Sequence, residues 1–123
     1  MAAAHTRASL TLADWKSPRI GGHIATRFAL STPSERLRIE SLTLLHGVAY
    51  PMASVILHFC HRDPYPILDV RALWSLGTEE PSSGYTFDFW LRYTTTCRDF
   101  AAAAGCDLRT LDRALWGYSK ARG

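Results

Sequence analysis

Between Thr32 and Lys120 the apolar side chains recur at helical spacing, and no segment alternates as a half-buried strand would. Thr32-Pro33-Ser34-Glu35 reads as a helix start in which Thr32 caps, Pro33 takes the first helical position and Glu35 reaches back to the cap amide. Leu37, Ile39, Leu42, Leu44 and Leu45 supply its apolar side, and Gly47 is placed to end it in a left-handed conformation. Pro51 opens the next helix. Met52, Ala53, Val55, Ile56, Leu57, Phe59 and Cys60 make that helix apolar nearly all round, which predicts a buried central element. His61 to Pro66 breaks it, because the residues ahead of the two prolines are pushed toward extended geometry.

Asp69 reads as the N-cap of a helix from Val70 to Leu76 that Gly77 closes. After the polar loop TEEPSSG, apolar groups at 87, 90, 91, 97, 100, 101 and 104 predict a long helix ended by Gly105. Asp107 caps a last helix with Leu108, Leu111, Leu115 and Tyr118 inward and Arg109, Arg113 and Lys120 outward. Ahead of Thr32 the signals are weaker. Residues 1–10 read as a loose arm, and Thr11-Leu12-Ala13-Asp14 as a capping box for a short helix that Pro18 stops after Ser17. Gly21-Gly22 punctuates, and 23–30 suits another short helix. The expectation is an all-α fold: an arm with short helices over 1–31 and one compact helical domain over 32–123.

Composition narrows the function classes. Hydrophobic residues make up 47% and charged residues 20% of the 123-residue chain, which suits a packed domain rather than a disordered one. The net charge is +3, carried by twelve Arg and two Lys, and guanidinium forks match phosphate well. Three widely spaced cysteines, Cys60, Cys97 and Cys106, argue against a disulfide framework and for a reducing, cytoplasmic setting. The N-terminal residues resemble no signal peptide, and no apolar run is long enough to span a membrane.

Leu45-His46-Gly47-Val48-Ala49-Tyr50-Pro51-Met52-Ala53 resembles the hairpin of the helix-hairpin-helix DNA glycosylases, the superfamily of endonuclease III. Pro66-Ile67-Leu68-Asp69-Val70-Arg71 resembles that family's Pro-Val-Asp segment, whose aspartate is the catalytic carboxylate. The resemblance covers about residues 33–77, and 86–119 loosely. It implies double-stranded DNA as partner. A phosphate would be held by amides around Gly47, Val48, Ala49 and Tyr50, with or without a monovalent cation at the hairpin. Arg62, Arg71 and the arginines of the last helix would add salt-sensitive charge. Asp69 would act at the sugar carbon of a base flipped out of the stack, with Tyr50, Tyr65, Trp74 or Trp90 available to stack on it.

The chain departs from the pattern in ways that bear on activity. His46 and Ala49 stand where the family has the hairpin's proline and second glycine. Pro51 occupies the position of the lysine in bifunctional members, which excludes Schiff-base lyase chemistry there. The four-cysteine cluster motif of some members is missing, so no cofactor is implied. The short N-terminal part leaves few residues to wall a base pocket, unless a partner chain completes it. The expectation is therefore a DNA-binding protein resembling a monofunctional glycosylase, with degenerate or lost excision. An active DNA-repair glycosylase and a helical interaction module without DNA binding are the alternatives.

Each of these features also has a purely structural explanation. Asp69 is a good cap in its own right, and the 47–51 turn suits an ordinary αα-hairpin. His58, Cys60 and His61 lack a distant ligand pair for zinc. The tryptophans at helix faces suit packing.

Overall fold

The computed structural model describes residues 18–123, with side chains described from residue 22 onward. All its elements are helices: α1 (Pro18–Ser31), α2 (Glu35–Thr43), α3 (Tyr50–Cys60), α4 (Val70–Ser75), α5 (Phe87–Ala104) and α6 (Leu108–Arg122). The all-α expectation holds, with no strand among the described residues. The predicted helix over 11–17 lies outside them. The chain divides into two units, Met1–Gly47 and Val48–Gly123.

In the first unit α1 begins at Pro18, whose missing N–H costs nothing at a first helical position. The helix then runs through Gly21-Gly22, where the sequence pattern predicts a break. Ala25 and Ala29 are buried on α1, and Ile39 and Leu42 on α2, so the tertiary contact outweighs the propensity cost of two glycines. Arg38 is also buried. Its Nε donates to the Ala29 carbonyl at 3.0 Å, its Nη2 to the Thr32 carbonyl, and its Nη1 to Glu35 Oε1 at 2.8 Å. One guanidinium thus satisfies carbonyls at the end of α1, where cations are favoured.

The start of α2 lies two residues later than predicted. Ser34 is the cap and accepts from Leu37 N–H, while Thr32 Oγ1 accepts from Ser34 N–H and Glu35 turns to Arg38. Leu37 and Leu44, expected inward, are exposed. Gly47 does take a left-handed φ of 77°, but α2 itself ends earlier, at Thr43, with Leu44 as its right-handed C-cap.

In the second unit the predicted caps Asp69 and Asp107 hold, and Thr86, not singled out in the sequence, caps as well. Asp69, Thr86 and Asp107 cap α4, α5 and α6 with their side chains. Gly105 ends α5 at φ 71°, and Cys106 N–H reaches the Ala101 carbonyl, a Schellman closure that a Cβ would strain. The core gathers Ala53 and Leu57 from α3, Ala72 and Leu73 from α4, Trp90 and Cys97 from α5, and Leu108, Leu111 and Leu115 from α6. Tyr65 and Leu68, in the segment between α3 and α4, are buried with them. Two predicted faces are corrected. On α3, Met52, Phe59 and Cys60 are exposed, so that helix is buried on one side only. On α6, Ser119 is buried and Tyr118 is exposed.

Candidate nucleic-acid interface

The turn residues sit where the chain passes from one unit to the next. Gly47 is exposed and ends the first; Val48, half-buried, and Ala49, exposed, open the second. Ala49 is the N-cap of α3 and offers no side chain to the first-turn amides. Pro51 follows in the first turn and contributes no donor. Tyr50 is half-buried at the first position of α3.

Ser54 organises this region from beneath. It is fully buried; its Oγ donates to the Pro51 carbonyl at 2.6 Å and accepts from Leu68 N–H at 2.8 Å. The start of α3 is thereby tied to the residue preceding Asp69. Sequence reasoning missed Ser54, although a lone hydroxyl inside the run MASVILHF was a usable signal.

Asp69 is half-buried, and its Oδ1 accepts from Arg71 N–H at 2.7 Å and Ala72 N–H at 2.9 Å. It lines neither of two prominent cavities among the described residues. The first, about 440 Å³, is lined by His58, Phe59, His61 to Tyr65 and the start of α6 at Asp107 to Arg109. Arg62 and Arg109 bring positive charge to it, and Arg109 lies over the Phe59 ring at 4.8 Å. The second, about 340 Å³, lies between α4 and α5, with Leu73, Leu76, Phe89 and Tyr93 among its lining and Arg92 at its edge.

The two site arginines are placed differently. Arg62 is exposed beside His61 and Asp63 at the first cavity. Arg71 lies over the Trp116 ring at 5.2 Å, and Lys120 over the same ring at 5.1 Å. Trp116 and Lys120 were not among the predicted DNA contacts, yet their four-residue spacing on an amphipathic helix marks one shared face. Of the four aromatics suited by sequence to base stacking, Tyr65 and Trp90 are buried and stack on each other at 5.8 Å and 12°. Trp74 is exposed.

Polar groups elsewhere in the unit are engaged in structure. His58 Nδ1–H donates to the Tyr65 carbonyl at 2.7 Å, and His61 Nδ1 accepts from Asp63 N–H at 2.9 Å. No cluster of three metal-ligating side chains occurs among the described residues. Tyr93 donates to the Ile67 carbonyl at 2.6 Å, and burial raises its hydroxyl pKa. Burial also pushes the Cys97 thiol up to about 11, so it is protonated at neutral pH and a poor nucleophile. Asp112, half-buried on α6, is raised above the ordinary carboxylate value by loss of water, partly offset by His58. No helix among the described residues is long and apolar enough to cross a membrane. Comparisons with protein-family models, curated proteins and solved structures give no match to this chain.

Proposed function

We propose that the chain binds double-stranded DNA, as a helix-hairpin-helix protein resembling a monofunctional DNA glycosylase whose base excision is degenerate or lost. One observation carries the reading: α3 begins without a side-chain cap, whereas Asp69, Thr86 and Asp107 fill the first-turn amides of the other helices in the same unit. The Met52 amide in the first turn of this eleven-residue helix lacks a side-chain acceptor, and at the positive helix end it is suited to a phosphate oxygen. Arg62 and Arg71 are exposed and add charge that would weaken with salt.

Excision by Asp69 has less support, because the carboxylate spends Oδ1 on its own helix and lines neither of the two cavities described above. An active small glycosylase remains the second reading, favoured by Asp69 Oδ2, which accepts no hydrogen bond among the described residues.

The test uses fluorescence anisotropy with labelled duplex DNA. Ala49→Glu places a carboxylate at the exposed α3 cap, where negative charge is tolerated by the helix but repels phosphate. Duplex affinity should fall on the order of tenfold for all sequences alike. Unchanged affinity would refute DNA binding by this turn and favour a protein-interaction module. For the second reading, Asp69→Asn keeps a competent cap. On duplexes carrying different damaged bases, followed by alkaline cleavage of abasic sites, the parent would release a base and Asp69→Asn would not. No release by the parent would dismiss that reading.

A further inference from the structure

We infer that the exposed face shared by α4 and α6 is a path for single-stranded nucleic acid, with unpaired bases stacking on Trp74 and Tyr118 and phosphates meeting the cations beside them. The inference rests on the nucleic-acid reading above for its ligand class, but it uses a surface that shares only Arg71 with the duplex site.

Cation and ring alternate along a chain of contacts between α6 and α4. Lys120 Nζ lies 5.1 Å from the Trp116 ring centroid, and the Arg71 guanidinium lies 5.2 Å from the same ring. Arg71 and Trp74 are neighbours one turn apart on α4. Trp74 then meets Tyr118 of α6, with ring centroids 5.9 Å apart and planes tilted by 37°. Trp116 anchors two cations, while Trp74 and Tyr118 keep ring surface open.

These aromatics are 47% (Trp74), 42% (Trp116) and 53% (Tyr118) exposed, in contrast to fully buried Trp90. Trp74 and Tyr118, two large rings that meet in the open with Arg71 one turn from Trp74, mark a binding surface. Among the described residues no carboxylate lies within ion-pair distance of Arg71, Arg113, Lys120 or Arg122. The ligand must therefore offer flat apolar faces and repeated negative charge together. An unpaired strand does so; a duplex hides its base faces in the stack, and an acidic peptide has charge without the faces. Single-stranded DNA and RNA share this chemistry.

The experiment titrates the full chain with short labelled oligothymidylate and oligouridylate, with a duplex, and with vesicles of phosphatidylserine and phosphatidylcholine. Binding of either single strand with quenching of tryptophan fluorescence is expected, and the two arms tell DNA from RNA. Trp74→Ala and Tyr118→Ala should each weaken it on the order of tenfold, while Tyr118→Phe, which keeps the ring, should not. Arg71→Gln with Lys120→Gln should reduce the salt dependence, by about 0.7 in the log–log slope for each phosphate no longer neutralised. Ala49→Glu should leave single-strand binding intact while weakening duplex binding, so the two readings fail separately. Thermal melts establish that each variant is folded; should Trp74→Ala unfold, the comparison of Tyr118→Ala with Tyr118→Phe decides. Failure to bind either strand, equal affinity of Tyr118→Ala and parent, or binding to vesicles alone would overturn the inference.

Discussion

Replacing Ser54 with alanine isolates the contact that joins the start of α3 to the segment bearing Asp69. The hydroxyl is fully buried and makes two hydrogen bonds, to the Pro51 carbonyl at 2.6 Å and from Leu68 N–H at 2.8 Å. Leu68 is itself fully buried, so its amide has no route to water once the hydroxyl is gone. An orphaned buried donor costs roughly 1–3 kcal/mol, and removal of the bond to Pro51 adds about 1 kcal/mol at most, since that carbonyl keeps some access to other donors. The expected destabilisation is about 2 kcal/mol. For a unit of this size that lowers the melting temperature by roughly 10 °C. Circular dichroism melts and urea titration measure it, and amide hydrogen exchange locates it. The Leu68 amide should lose protection more than the Leu57 amide, which belongs to the α3 ladder. Ser54→Cys, which keeps a weak acceptor, should fall between the two. A change within about 0.5 kcal/mol for Ser54→Ala, or unaltered protection at Leu68, would refute the reasoning: the hydroxyl would then be a passenger and not the tie.

Other outcomes follow from the carboxylates and the turn. Asp112 has a folded pKa raised by burial, so its contribution is present below the unfolded value near 3.9 and is lost as pH rises through the folded one. Asp112→Asn should therefore raise the melting temperature at neutral pH and leave it unchanged below about pH 3. Asp107 is shifted the opposite way, held low first by the Thr110 backbone amide. Its contribution is present above the unfolded value and fades as pH falls through the folded one, so Asp107→Asn should flatten the acid limb of the stability curve while α6 stays capped. The Ala49→Glu and Asp69→Asn experiments complete the set, read by duplex anisotropy and by abasic-site cleavage.

The parts legible in the sequence were those fixed by a few adjacent residues. Asp69 and Asp107 announce their helices because a cap acts on amides two or three positions away. Thr32 misled because two hydroxyls precede Glu35; Ser34 takes the helix amide and leaves Thr32 to bond Ser34 N–H. Faces were harder. Met52 and Phe59 look like core on composition, and only the placement of the neighbouring elements turns them outward. Tyr118 and Ser119 exchange roles for the same reason: the surroundings of α6, not hydrophobicity, select which of the two is covered. At the candidate site, Arg62 and Arg71 were visible as charges, but the Arg71–Trp116–Lys120 grouping required α4 to lie on α6, a contact between residues far apart in the chain.

The irregular stretch from His61 to Asp69 has its carbonyls and amides held by side chains of helices on either side. Arg98 donates twice to the Pro64 carbonyl, His58 holds Tyr65, Tyr93 holds Ile67 and Ser54 holds Leu68. Its stiffness is borrowed from α3 and α5 and added to that of its own Pro64 and Pro66. Whatever docks beside Arg62 meets a surface already shaped before contact, so little ordering entropy stands between encounter and complex. Association at this edge should run as a single bimolecular step without a concentration-independent phase, and a substitution at Arg98, remote in sequence, would slow it by loosening a loop it does not belong to.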